Sequence, residues 1–324
     1  MKKALILGVT GQDGSYLADI LLSKGYEVHG LIRKSATGNT KNIQHLISDE
    51  NILNISFFLH RGDLLDSTSL YRIFTEVSPD EIYNEADQDH VRWSYDMVSY
   101  SSEITAVAVA RILEIIKQVN PNIKYFQPLT SNMFGISNTD KQNESTQFNP
   151  QSPYAISKTF AYYTTKYYRE TFGIQASTAI FYNHESPRRT PEYVTRKITQ
   201  SVARISLGKQ KKLVLGDTSA KIDWGYAKDY MEAAWTMLQH RDADDYVIGS
   251  GKAYSVRDFV DEAFSIVGLE TDKHLETSQE FMRPSKTSTL VADISKAKKI
   301  LHFEPKVDFH NLVRIMLEED LKNQ

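Results

Sequence analysis

Tyr154 and Lys158 stand four residues apart in Tyr154-Ala155-Ile156-Ser157-Lys158, a spacing that puts a phenol and an ammonium on one helix face. Such a pair suits oxidation of an alcohol. A phenolate, stabilised by the lysine charge and by an oxidised nicotinamide, takes the hydroxyl proton as hydride leaves. In a chain with 18 tyrosines the spacing alone arises by chance, so its context decides. The pair opens a helical stretch that follows an apolar strand ending in Thr130-Ser131-Asn132. Thr130 is placed there to share the same substrate hydroxyl.

A second group suits phosphate. Gly8-Val9-Thr10-Gly11-Gln12-Asp13-Gly14 lies between the first apolar run and the first helical pattern. Glycines there permit a sharp turn and let the backbone and a helix N-terminus approach a pyrophosphate. Gly8, Gly11 and Gly14, with Gln12 and Asp13 between them, are the expected dinucleotide contacts. The next strand ends in Arg33-Lys34-Ser35 rather than in the acid expected of an NAD enzyme. Arg33 and Ser35 suit a 2′-phosphate, which favours NADP over NAD. Gly62-Asp63-Leu64, after the third strand, offers Asp63 and Leu64 to the adenine.

The elements that must hold these groups alternate. Strands are expected at 4–7, 26–32, 55–59, 81–84, 124–129 and 176–181, with helices at 13–24, 67–76, 98–119 and 154–171 between them. The pattern predicts an α/β, doubly wound parallel sheet of the Rossmann type with a smaller, discontinuous substrate-binding domain. Residues 1–184 form the expected dinucleotide-binding domain, joined by later segments at about 220–260. Residues 185–324 form mainly the substrate domain.

The bulk composition narrows the class. There are 324 residues, 41% hydrophobic, with a net charge of −3 and no cysteine. Disulfides, thiolate metal sites and cysteine nucleophiles are excluded, and no global field draws nucleic acid or an anionic membrane. No apolar run approaches the roughly 20 residues of a membrane span. The run after Met1-Lys2-Lys3 stops at Gly8 and is read as a strand rather than a leader. A cytoplasmic enzyme is expected. The nine histidines show no metal-ligand spacing, so no metal is expected. Lys209, Lys211 and Lys212 read as a solvated loop, Trp93, Tyr95 and Tyr100 as helix and core packing, and Glu318-Glu319-Asp320 as an exposed helix end.

These segments together resemble the GDP-mannose 4,6-dehydratase family of the extended short-chain dehydrogenase/reductases. The resemblance runs through GVTGQDGSYLADILLSKGYEVHGLIRKS, the GDL at 62–64, SPYAISK, FYNHESPRRTPEYVTRKI at 181–198 and DWGYAKDY at 223–230. It implies NADP-dependent loss of water from a GDP-hexose: C4 is oxidised, the C5 proton and C6 hydroxyl leave, and hydride returns to C6. It implies that Thr130, Tyr154 and Lys158 are catalytic and that His184 lies in the cofactor site. It also implies that Asn183, Lys197 and Arg283 bind the GDP-sugar. The basic loop after Arg33 resembles one that packs between subunits, which implies a homo-oligomer, a dimer or a tetramer.

The departures from that family bear on the chemistry. Its Thr-Ser-Glu, whose Glu handles the C5 proton, reads Thr130-Ser131-Asn132 here. A carboxamide is no base near neutral pH. The family's arginine near the DWG segment is replaced by Ile222, and its Arg-Pro-x-Glu reads Arg283-Pro284-Ser285-Lys286. The fourth strand runs into Asn84-Glu85-Ala86-Asp87-Gln88-Asp89-His90, acidic where the family is small and neutral. Asp87 or Asp89 is the candidate for the missing carboxylate, Asp89 being carried as the catalytic candidate beside Asn132. Three functions stay open: a dehydratase for GDP-mannose or a related sugar such as GDP-N-acetylglucosamine; a GDP-sugar 4-oxidoreductase or 4-epimerase that needs no C5 base; and a non-catalytic sensor of nucleotide-sugar or NADP.

Overall fold

A computed structural model describes residues 1–35, 38–278 and 288–324. The first half alternates as the pattern predicts. The chain forms β1 (Lys3–Leu7), α1 (Gln12–Ser23), β2 (Glu27–Ile32), the single turn α2 (Gln44–Ile47), β3 (Phe57–Arg61), α3 (Ser67–Val77) and β4 (Glu81–Asn84). Next come α4 (Val91–Asp96), α5 (Val98–Ser102), a π-helical turn at Glu103–Val107, α6 (Ala108–Val119), β5 (Lys124–Thr130), α7 (Pro153–Phe172) and β6 (Ala176–Phe181). The segment read as one helix over 98–119 thus carries a π turn, which widens it where it passes the β4 end.

After β6 come β7 (Asn183–Glu185), α8 (Val194–Ser206), β8 (Leu213–Leu215), β9 (Lys221–Tyr226), α9 (Ala227–Gln239), β10 (Asp245–Ile248) and β11 (Ala253–Ser255). The chain closes with α10 (Val256–Ile266), α11 (Thr271–His274), β12 (Leu275–Thr277), α12 (Ser295–Leu301) and α13 (Phe309–Lys322).

Among the described residues, seven strands form one parallel sheet in the order β10-β6-β5-β4-β1-β2-β3. β1 lies between β2 and β4, so the chain reverses its winding there. That reversal opens a crevice at the carboxyl ends of the strands, where α/β sheets bind ligands. The reason for continuous apolar strands is visible in the layers. Ile6, Tyr83 and Phe126 face α1 and α9, while Leu5, Ile82 and Tyr125 face α3, α6 and α7. Both faces are covered, so neither side of a strand alternates with polar residues.

The later chain weaves between two cores. α9, β10 and α12 pack into the sheet's first layer. α8, β8, β9, α10 and α13 form a second core around Trp224, Phe259 and Phe309. Asp320, expected on an exposed helix end, is instead buried: it pairs with Arg196 and accepts a hydrogen bond from Thr199, locking α13 to α8. Trp93 and Tyr95, expected in the core, are about half exposed. α4 is a short surface helix with only Ser94 buried, so it has no inner face large enough for two aromatic rings.

Candidate active site

The glycine turn is shaped by contacts that leave no room for a side chain. Gly8 has φ +85°, and a Cβ there would stand 2.6 Å from the Glu85 carbonyl oxygen. A Cβ on Gly14 would stand 2.4 Å from the Gly8 carbonyl oxygen. The Gly11 amide donates to that carbonyl at 3.0 Å. Gly11 caps α1 without a side chain, so the first-turn N–H groups remain available at the positive end of a twelve-residue helix. An uncapped helix N-terminus beneath a glycine cradle fits a dinucleotide diphosphate.

Gln12 and Asp13, in the first turn of α1, tie the cradle to the second half of the chain. Gln12 donates to the His184 carbonyl at 3.1 Å and accepts from Ser186 Oγ at 2.8 Å. His184 Nε2 lies 2.8 Å from Asp13 Oδ2, and its Nδ1 lies 2.9 Å from the Tyr182 carbonyl. Burial disfavours the imidazolium, but the Asp13 carboxylate overrides it and raises the His184 pKa. Arg188 adds a second tie, donating to Ser15 at 3.1 Å and to Asp19 at 2.7 Å across the Tyr16 ring. No local spacing signals these pairings, which join α1 to residues far along the chain, and Arg188 carries none of the roles expected from the sequence.

At the other end of the crevice Arg33, Lys34 and Ser35 are exposed, with Arg33 donating to the Tyr100 hydroxyl at 2.7 Å. Asp63 accepts from the Leu65 amide at 3.0 Å, and Arg111 donates to the Leu64 carbonyl at 2.6 Å. Asn39 and Asn42 donate to Thr10 at 3.1 and 3.2 Å.

The start of α7 carries the phenol and the ammonium. Ser152 caps it through the Ala155 amide, and Pro153 occupies the first turn, where its missing N–H is not needed. Tyr154 and Lys158 are both buried. Thr130, at the end of β5, lies beside the Tyr154 side chain and works to lower its pKa, and Asn132 donates to Thr130 Oγ1 at 3.2 Å. Lys158 donates to the Pro128 carbonyl at 2.9 Å and forms an ion pair with Asp87 at 2.5 Å. Its Nζ lies 5.8 Å from the Tyr154 ring centre.

That ion pair alters the expected electrostatics. The reading of the pair alone assigns the lysine charge to the phenol. Here burial first, then the charges of Asp87 and Asp89, push the Tyr154 pKa well above the usual phenol value. Asp87 holds the ammonium, so its field largely cancels that of Lys158 at the ring.

Asp89 sits at the rim with its side chain 55% exposed. It accepts from the Tyr193 hydroxyl at 2.8 Å and lies 3.5 Å from Arg189. The Arg189 guanidinium stacks 3.4 Å over the Tyr193 ring and reaches Glu185 at 3.5 Å. Arg189 and Tyr193 were not anticipated, although both stand in the PRRTPEYVTRK stretch. Asn183 is exposed at the start of β7. Lys197 is half-buried on α8, and burial lowers the pKa of its amine. Arg283 lies outside the described residues.

One short segment joins the two chemistries. Glu85 and Ala86 touch the Gly8 turn, and two residues later Asp87 grips Lys158. The dinucleotide cradle and the phenol–ammonium pair therefore face one crevice at the sheet's carboxyl end.

The chain matches the family description "GDP-mannose 4,6 dehydratase" over residues 5–316. It is 46% identical over 326 residues to GDP-mannose 4,6 dehydratase 1 of Arabidopsis thaliana, covering 99% of this chain and 90% of that one. It is 41% identical over 350 residues to the GDP-mannose 4,6-dehydratase of Vibrio cholerae, covering 99% and 94%. In fold it resembles a dTDP-glucose 4,6-dehydratase from Bacillus anthracis solved with NAD, at a TM-score of 0.86 and 21% identity over 100% of this chain and 97% of that one. With its Rossmann sheet, its Gly8 turn and its Tyr154/Lys158 pair, the chain belongs to the GDP-mannose 4,6-dehydratase family.

Proposed function

We propose that this chain removes water from a GDP-hexose, GDP-mannose being the default substrate, and forms a 4-keto-6-deoxy sugar nucleotide. The carrying observation is that the β4 end links the glycine cradle to Lys158, so a bound dinucleotide and the Tyr154 phenol meet in one crevice. A nicotinamide dinucleotide fits the turn because Gly8 and Gly14 let β1, the turn and α1 pack tightly, a Cβ at Gly11 would meet nothing nearer than 3.4 Å, and the α1 N-terminus carries no side-chain cap. Gly8, Gly11 and Gly14 hold its diphosphate, Asp63 and Leu64 border the adenine, and Arg33 and Ser35 favour NADP through a 2′-phosphate. When bound, it supplies the hydride acceptor for C4 and the hydride donor for C6.

The chain's own residues move the protons. Tyr154 takes the C4 hydroxyl proton, with Thr130 sharing that oxygen and Lys158 fixed beside the ring. The resulting C4 ketone acidifies the C5 proton. Asp89 accepts it and hands it to the departing C6 hydroxyl, which leaves as water; when hydride reaches C6, C5 takes up a proton, balanced by the one Tyr154 drew from the C4 hydroxyl. Asn132 orients Thr130 and carries no proton. Asp87 is excluded as the base because it is committed to Lys158. Asn183, Lys197 and Arg283 bind the GDP diphosphate, and Gln12, Asp13 and His184 brace the cradle that holds the cofactor. We assign residues 1–184 with α9, β10 and α12 to the dinucleotide half and the second core to the nucleotide-sugar half.

The Asn132 replacement favours a second reading, a 4-epimerase or 4-oxidoreductase without dehydration. One experiment decides: purified protein is incubated with NADP and a panel of GDP-hexoses, and products are weighed by mass spectrometry. A product lighter by one water supports dehydration. An isomer of unchanged mass replaces it with epimerisation, net cofactor reduction indicates a dehydrogenase, and no turnover of any nucleotide sugar favours a sensor.

We also infer a homo-oligomer. Ile156, Phe160, Tyr163 and Tyr167 form one stripe along α7, each 47–58% exposed. They recur at helical spacing, and the opposite face of the same helix buries Tyr154, Lys158, Ala161 and Thr165. A stripe of that length on a site-bearing helix suits the same stripe of a second copy across a twofold axis.

A further inference from the structure

Glu85 is a half-buried acid that the chemistry above does not use. It follows β4, and its backbone packs against Gly8, so it lies directly under the dinucleotide turn. Its Oε1 is enclosed and has no hydrogen-bond partner in the protein. Polar atoms in folded proteins are rarely left so, and those that are commonly await a ligand or water. The other members of the cradle are satisfied: Asp13 by His184 and Gln12, Asp87 by Lys158.

The charges around Glu85 say in which form it waits. Asp13 faces it from α1, Asp87 from the segment after β4, and Lys158 from α7. The single cation among these three is held by Asp87 at 2.5 Å, and the Asp13 charge is offset by His184. Burial foremost, then the Asp13 charge, raises the Glu85 pKa well above the usual carboxylate range, the Lys158 charge opposing both. A protonated carboxyl offers one O–H donor and one carbonyl acceptor. It can meet a cofactor hydroxyl or amide without repelling the nearby diphosphate. An ionised one would set a negative charge beside two phosphates.

We propose that Glu85 is a dinucleotide-binding residue, acting as a neutral acid whose free oxygen is satisfied by the bound nicotinamide cofactor. This rests on the dinucleotide reading of the Gly8 turn and adds a contact that turn does not supply. Glu85 is then no proton acceptor in the sugar chemistry, and cofactor affinity falls as pH rises through its raised pKa.

The test is direct binding of NADPH to the full chain, followed by fluorescence at neutral and alkaline pH, with melting temperature measured in parallel. Glu85→Gln, neutral and able to hydrogen-bond, is expected to bind within about threefold of the unsubstituted protein at neutral pH and to lose the alkaline weakening. Glu85→Leu is expected to weaken binding roughly tenfold, the equivalent of one lost hydrogen bond, while melting no lower. A leucine variant that binds as tightly as the parent overturns the proposal and leaves the dinucleotide reading standing. Alkaline weakening that persists unchanged in Glu85→Gln also overturns it. A parent that binds neither NADPH nor NADH overturns both.

Discussion

At the scale of single residues, the site is decided by how its carboxylates are spent. Asp87 is bound to Lys158, Asp13 to His184, and Asp89, held by Tyr193 and Arg189, stands at the rim with its side chain half open. Asp89→Asn is therefore expected to lower dehydration by ~10²–10⁴-fold, the worth of a positioned acid–base group. Oxidation at C4 should survive, so exchange of the C5 hydrogen in deuterated water is the measurement. Unchanged exchange would remove Asp89 from the mechanism. Asp87→Asn tests the ion pair. The phenol must be deprotonated to act as base, and the Asp87 charge holds its proton on. Removing that charge lowers the Tyr154 pKa, so the acid limb of the kcat/KM profile should move to lower pH. A limb that stays put means that Asp87 does not set the phenol's proton affinity.

At the scale of elements, the turn from β1 into α1 is the most constrained piece of the molecule. Alanine is ordinarily a better helix residue than glycine by about 1 kcal/mol. At Gly14 the sign reverses, because a Cβ would meet the Gly8 carbonyl at 2.4 Å and Val9 Cα at 2.8 Å, both backbone. Gly14→Ala is expected to weaken dinucleotide binding by at least about tenfold and to lower the melting temperature, since the turn must open to admit the methyl. Fluorescence titration and thermal melting measure the two effects. That constraint is why the turn was legible from residue types: few sequences fit a strand, a turn and a helix so closely packed. The β4 end was less legible. Its three acids were conspicuous, but nothing in their spacing said that Glu85 would lie under Gly8 or that Asp87 would reach Lys158, 71 positions later. Those contacts depend on β4 lying beside β1 and β5 in the sheet.

At the scale of the whole molecule, α7 carries both the Tyr154/Lys158 pair and the exposed apolar stripe proposed to meet a second copy. Phe160→Glu with Tyr163→Glu places two charges on the apolar stripe, away from the buried face. Light scattering should then report a smaller assembly than the parent, with the chain still folded by circular dichroism. An unchanged mass would move the contact elsewhere. The two halves of the chain are tied through α1: Gln12, Asp13, Ser15 and Asp19 all bond to residues 184–188. The glycine turn and the start of the chain's second half are thus joined by a polar clasp, beside which the rings of Tyr16 and Tyr226 meet edge-on.

From local pattern alone the sequence determined the alternating elements, the glycine turn, the phenol–ammonium helix and the family. Each of these depends on residues within a few turns of one another, so spacing and backbone preference suffice. Only the tertiary structure decided that Gln12, Asp13 and His184 brace the cradle, that Asp87 holds Lys158, that Tyr193 and Arg189 frame Asp89, and that Asp320 is buried against Arg196. These are pairings between distant residues, set by strand order and by the packing of a second core. The phenol illustrates the division. Its position was written in five consecutive residues, but its proton affinity was fixed by carboxylates brought to it from the end of another strand.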